Sequence, residues 1–145
     1  CRKGDFTIFV SVETDGQPLH GTVCKGKNWS WEADSALFKP CLTIGKQIVR
    51  SCNVLGTADS WLRYGRGTNG KWYPVEPYSR FTLAVVAEGG RLTTYVNGLV
   101  DQSMEGDCDL RDLLLGACNG RIGSYAVYHR ALNPAEIARL DSQCR

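Results

Sequence analysis

No run of apolar residues in this 145-residue chain approaches the ~20 needed to cross a bilayer as a helix, so no membrane insertion is expected of it. Charge of one sign is lacking as well. Seventeen basic residues against fifteen acidic leave a formal +2, too weak a bias to argue for nucleic acid or an anionic membrane. Seven cysteines stand at positions 1, 24, 41, 52, 108, 118 and 144, and none belongs to a C-x-x-C pair. The closely spaced ligands of a structural zinc site are therefore missing. Histidine is scarce: His20 falls in a turn after Gln17-Pro18-Leu19, and His129 lies near the end of the chain. A Ser-His-Asp or Cys-His device has little to work with. Gly65-Arg66-Gly67 does not lead into a helix opened by Lys and Ser or Thr, so a phosphate-cradling loop is excluded.

What the chain does have is 43% hydrophobic residues with only 22% charged, enough to bury one core of about domain size rather than to stay disordered. Sixteen glycines favour many turns and so many short strands. The cysteines, without metal spacing, point to disulfides in a secreted or surface-exposed protein. Asn28-Trp29-Ser30 is an N-glycosylation sequon consistent with that compartment. The chain opens on Cys1, which suggests a single domain, residues 1–145, excised from a longer secreted or surface protein.

Phe6, Ile8, Val10 and Val12 alternate with Thr7, Phe9 and Ser11, the period-two pattern of a strand, which Asp15-Gly16 and Pro18 close as a turn. Between Gly21 and Cys52 the alternation is broken. Even so, Leu42-Thr43-Ile44 and Gln47-Ile48-Val49 flank Gly45-Lys46 like a hairpin, and Trp29 and Trp31 share a face if extended, with one of them expected in the core. Phe81, Leu83, Val85 and Ala87 alternate up to the turn Glu88-Gly89-Gly90, and Leu92, Thr94 and Val96 return on one face. Asn97-Gly98 then gives the strongest two-residue hairpin signal. Ile122–Tyr128 makes another strand. The one convincing helix is terminal: Asn133 as cap, Pro134 at the first position, Glu136 three residues after the cap, with Ile137 and Leu140 on one face.

Phe81–Ala87, the Gly-Gly turn, and Arg91–Gly98 ending in Tyr95-Val96-Asn97-Gly98 resemble the central hairpin of laminin-G-like, concanavalin-A-like lectin domains. Leu113–Gly116 is similar to their next strand, Ile122–Ile137 to their closing strand-and-helix signature, and Phe6–Val12 to their early strand. The ending is also similar to the lectin-like module of trypanosomal sialidases. Gly123-Ser124 departs from the pattern, standing where the family has an acidic pair. The resemblance implies an all-β fold, a two-sheet antiparallel jelly-roll sandwich with the C-terminal helix sealing one edge. It also implies recognition of a glycan or an extracellular protein rather than catalysis.

Three groups of residues are candidates for chemistry. Glu105, Asp107 and Asp109 have the i, i+2, i+4 spacing that an extended backbone would place on one face. They read chiefly as a solvated acidic loop, with two sharper alternatives: a Ca²⁺ site, or the carboxylates of a glycan hydrolase or lyase. Glu13 and Asp15 share the spacing but sit at a turn and are expected to be solvated. The segment 61–73 packs Trp61, Tyr64, Trp72 and Tyr73 with Arg63, Arg66, Lys71 and Asn69 among glycines. Flat aromatics stack on sugar rings while the cations and amide bond hydroxyls or anionic groups. Arg63, Tyr64, Arg66, Asn69, Lys71, Trp72 and Tyr73 are therefore the candidate ligand-binding residues, although Trp61 and Trp72 would equally serve as core residues of two strands. Among the cysteines, the expected pairs are Cys1–Cys144 across the termini, Cys41–Cys52 in the central region and Cys108–Cys118 around the acidic loop, leaving Cys24 over. No catalytic residue, no nucleic-acid partner and no required cofactor is expected, Ca²⁺ being the only ion the pattern suits. The function expected is extracellular or cell-surface carbohydrate recognition, with an anionic glycan favoured and protein adhesion as the alternative.

Overall fold

A computed structural model describes residues 4–13, 21–34, 39–50, 64–66, 72–74 and 80–144. In chain order its elements are β1 (Phe6–Glu13), β2 (Gly21–Lys25), β3 (Trp29–Asp34), β4 (Lys39–Ile44), β5 (Gln47–Arg50), β6 (Tyr64–Arg66), β7 (Trp72–Pro74), β8 (Arg80–Glu88), β9 (Arg91–Val96), β10 (Leu99–Glu105), β11 (Leu114–Cys118), β12 (Arg121–Tyr128) and α1 (Pro134–Cys144). One five-stranded sheet has the order β10-β9-β8-β1-β12 and a second the order β11-β2-β3-β4-β5, while β6 and β7 pair with each other as a third, small sheet. All the pairings are antiparallel. The molecule is an all-β, two-sheet jelly-roll sandwich with one short C-terminal helix.

The core follows from the alternation in β1 and β8. Phe6, Ile8, Val10 and Val12 of β1 face inward with Phe81, Leu83, Val85 and Ala87 of β8, and the second sheet meets them with Val23, Cys24, Trp29, Trp31, Leu42 and Ile44. Each such side chain removed from water stabilises the fold by roughly 1.5–3 kcal/mol. Phe6 stacks on Trp29 with ring centroids 5.9 Å apart, and Trp31 lies tilted on Phe81 at 6.1 Å. Both tryptophans are thus core, where only one was expected. The broken pattern after Gly21 has a local cause: a bulge between Thr22 and Cys24 turns two successive residues, Val23 and Cys24, into the interior. A similar irregularity between Val100 and Gln102 buries Asp101 and Gln102 and hides β10 from a period-two reading.

The hairpin signals are realised as read. Asn97 and Gly98 both adopt positive φ, at 52° and 81°, the conformation a two-residue turn of this hand requires. The helix packs on a sheet through Ile137 and Leu140, as their spacing predicts, but its position differs from expectation. It covers the outer face of the first sheet instead of sealing an edge, because β1 and β8 also present apolar residues outward. Phe9, Ala84 and Val86 form a second cluster with Leu132 and Ile137, flanked by Tyr95, Tyr128, Ala131, Leu140 and Cys144.

Polar side chains fix the helix at each end. At its start, the Thr7 hydroxyl donates to the Arg130 carbonyl and accepts from the Leu132 N–H, both at 2.9 Å. Asn133 Oδ1 accepts from the Glu136 N–H at 2.9 Å while Glu136 Oε1 accepts from the Asn133 N–H at 3.0 Å, a reciprocal cap. Arg130 grips the same Glu136 carboxylate with both guanidinium arms. Near its end, the buried Asp141 accepts a 2.6 Å bond from the Thr82 hydroxyl. The backbone of Thr82 is bonded in turn by Asn97, through its N–H and its side-chain oxygen. On the rim, Glu13 bridges three strands by pairing with Arg80 at 3.0 Å and Arg121 at 2.8 Å, so it is ion-paired and not simply solvated.

Two outcomes follow. Asp141→Ala leaves the Thr82 hydroxyl without this acceptor in a dry interface and is expected to cost about 1–3 kcal/mol in chemical denaturation. The Arg130 guanidinium, followed by the Asn133 N–H side of the cap, lowers Glu136 from an ordinary 4.5 to about 2. A depressed carboxylate contributes stability that is present above pH 4.5 and lost as pH falls toward 2. The melting temperature of Glu136→Gln should therefore lie below that of the parent at neutral pH, and the gap should close over that acidic interval.

Candidate functional site

The candidate ligand segment is a hairpin with its own register: Tyr64 opposite Pro74, Gly65 opposite Tyr73, Arg66 opposite Trp72. Antiparallel pairing thus brings Arg66 and Trp72 to facing positions, and Tyr64 and Tyr73 lie in the same two strands. Arg63, Asn69 and Lys71 lie outside the described residues, as do Trp61, His20, Asp15, Cys1 and Cys52. His129 is exposed on the surface.

The three acids are not brought together. Glu105 ends β10 and pairs with Arg91 at 3.1 Å. Asp107 is exposed, and Asp109 holds Arg111 at 2.7 Å while its Oδ1 accepts the Arg111 N–H. The Arg111 side chain first, then its N–H, hold the Asp109 carboxyl below the usual carboxylate range. Residues 106–109 are not a strand, so the one-face alignment expected from the spacing does not form. Among the described residues no three His, Cys, Asp or Glu side chains gather into a group that could hold a metal ion.

The acidic loop acts through its backbone. The Asp107 carbonyl accepts from Asn28 Nδ2 at 2.6 Å, and the Asp109 carbonyl from the Trp29 indole N–H at 2.9 Å. These bonds clamp the loop onto the β2–β3 turn. Gly26 makes room for the clamp: a Cβ there would lie 2.2 Å from Trp29 Nε1 and 2.8 Å from the Asp109 carbonyl oxygen. The sequon residue Asn28 is therefore exposed on this turn with its amide turned to the loop.

The same clamp bears on the cysteines. Cys108 and Cys118 are separate free thiols, not the expected pair, and Cys24 and Cys144 are free as well. Cys118 sits opposite Gly21 at one end of β2, whereas Cys108 lies in the loop clamped beyond Lys25 at the other. Five strand residues separate the two ends by roughly 13 Å, beyond the ~7 Å Cα spacing a disulfide tolerates. Burial raises three thiols above their ordinary value: Cys24 strongly, Cys118 in part, and Cys108, with help from Asp107 and Asp109, to about 11. Cys144 follows the Asp141 that bonds Thr82. Because Thr82 pairs with Ser11, Cys144 lies toward the end of the sheet away from Phe6, which pairs with Ala87.

Clefts open at the surface of the described residues, two of which bear on ligand binding. One, of about 230 Å³, lies at the end of the sandwich between the β8–β9 turn and the acidic loop, with Asp5, Glu88, Arg91 and Asp107 on its walls. The other, of about 170 Å³, lies on the outer face of the first sheet between β9 and residues 131–134. Glu88, Arg91, Thr93, Tyr95, Asn133 and Pro134 line it. Arg91 is held there by Ser103 at 2.8 Å and Glu105 at 3.1 Å. Burial, then the nearby Glu88 carboxylate, pushes the Tyr95 phenol up. No helix among the described residues is long and apolar enough to cross a membrane.

No family model and no curated protein matches the sequence. Solved structures do share its fold. The binding domain of botulinum neurotoxin DC in complex with SialylT matches with a TM-score of 0.60 at 14% identity, over 98% of this chain and 36% of that one. A Bacteroides ovatus protein assigned to carbohydrate binding matches at 0.62 and 13%, over 94% and 40%. The neurotoxin DC domain bound to rat synaptotagmin II matches at 0.56 and 13%, over 99% and 36%. The chain spans little more than a third of these proteins' length, and at such identity the likeness shows the jelly-roll fold alone.

The thiol geometry predicts that Cys24, Cys108 and Cys118 resist alkylation at pH 7 in the native protein and react quantitatively once it is unfolded without reductant. Peptide mass spectrometry reads both states, and a Cys108–Cys118 cross-linked peptide is the contrary result.

Proposed function

We propose that the chain is a non-catalytic recognition module, working outside the cell or at its surface, that binds an anionic glycan through the segment 63–73. The observation that carries this reading is the pairing of β6 with β7 apart from both large sheets, with Arg66 placed opposite Trp72. An aromatic and a guanidinium at facing positions offer stacking for a sugar ring and a fork for a carboxylate or sulfate. Arg63, Asn69 and Lys71 add the same chemistry to this stretch of sequence, and such binding requires no cofactor. The company of jelly-roll binding domains, one of them in complex with SialylT, supports recognition over turnover.

A hydrolase or lyase using Glu105, Asp107 and Asp109 is disfavoured, because two of these acids are ion-paired and the three do not align. Recognition of a protein is the second reading, favoured by the neighbour bound to synaptotagmin. A glycan array at low salt, followed by titration, separates them. Arg66→Ala and Trp72→Ala should each weaken binding of sialylated or sulfated glycans about tenfold, and added salt should weaken the parent. An array without a binder, alongside a tight protein ligand, rejects the glycan reading. Turnover lost in Asp107→Asn with the fold intact rejects the non-catalytic one.

A further inference from the structure

The helix covers only part of the outer face of the first sheet. Over β1 and β8 it buries Phe9, Ala84 and Val86, but β9 and β10 continue past its flank. There Tyr95 packs against the second cluster while staying partly exposed at the groove. Beside it, rows of polar groups run along the two strands: Thr93 meets Ser103 at 3.3 Å, and Arg91 reaches Ser103 and Glu105. The 131–134 segment, anchored by Thr7 and the helix cap, forms the opposite wall with Asn133 and Pro134.

We infer that this groove is a binding site for a single neutral hexose ring, distinct from the hairpin. Three properties lead there. Its volume of about 170 Å³ is well below the ~300 Å³ at which pockets for drug-sized molecules begin, so it admits one ring and not a chain. Its lining includes the aromatic ring of Tyr95, held by packing, which loses little freedom on stacking against the C–H face of a sugar. Its walls alternate hydroxyl, carboxylate and guanidinium groups, the acceptors and donors that a polyol engages. The charge balance selects against anions: Glu88 and Glu105 flank the single guanidinium of Arg91, so a sialic acid or sulfate would meet net repulsion. Uncharged ligands also leave the site insensitive to screening, unlike the hairpin.

The test is saturation-transfer NMR with methyl hexosides on the intact chain and three variants. Tyr95→Ala removes the aromatic ring. Thr93→Tyr fills the groove at a strand position where an aromatic is well tolerated, so it keeps the test valid should Tyr95→Ala unfold. Arg66→Ala reports on the hairpin. The expected result is transfer to at least one hexoside that is unchanged by added salt and by Arg66→Ala, and about tenfold weaker in Thr93→Tyr and Tyr95→Ala. The inference is overturned if no hexoside receives transfer, or if Thr93→Tyr binds as the parent does. Loss in Arg66→Ala alone overturns it too, while leaving glycan recognition by the hairpin standing. Hexoside binding that Thr93→Tyr abolishes, in a protein that ignores every anionic glycan, supports the groove and removes the hairpin reading instead.

Discussion

Everything in this molecule depends on two adjacent strands, β1 and β8, having no face to spare for water. Their inward residues meet the second sheet and their outward residues meet the helix, so the first sheet is the middle layer of three. A strand buried on both sides must satisfy any polar side chain it carries, and Thr7 and Thr82 do so by bonding the segments that cover them. Those two hydroxyls set where the 130–132 segment and the end of the helix lie. The groove beside Tyr95 exists because the cover thus fixed stops short of β9 and β10.

The rim is organised by a different principle. At the end carrying the acidic loop, backbone carbonyls are spent on Asn28 and Trp29, and the carboxylates of Glu105 and Asp109 on arginines. A cluster that looks poised for an ion or a sugar is in fact a structural tie between the two sheets. The small β6–β7 sheet pairs with neither large sheet.

Much of the frame was legible in sequence because it obeys simple periods. The alternation of Phe6–Val12 and Phe81–Ala87, the Asn97-Gly98 turn and the Asn133–Glu136 cap all appear where their patterns place them. What escaped has local physical causes. Bulges at Val23 and near Asp101 break the period and conceal β2 and β10. The clamp of the acidic loop could not be read, since carbonyl groups carry no signature in a sequence. The pairing of Cys108 with Cys118 seemed natural from their closeness along the chain, but β2 holds them at its two ends. The groove at Tyr95 was missed because its walls come from strands and a loop some forty residues apart, with only the half-buried tyrosine in a strand's outward row to hint at it.

The position of β1 at the heart of the middle layer sets the order in which the chain can assemble. Its hydrogen-bonded neighbours are β8 and β12, and its outer lid lies later still, so before residue 80 only the second sheet can shelter Phe6 to Val12, and only on the inward side. During vectorial synthesis the most water-averse strand waits longest, and the long closures it needs make for slow, all-at-once consolidation. A ribosome-bound or clipped fragment ending before the lid would present Phe9 and Val86 to whatever chaperone or aggregate met them first.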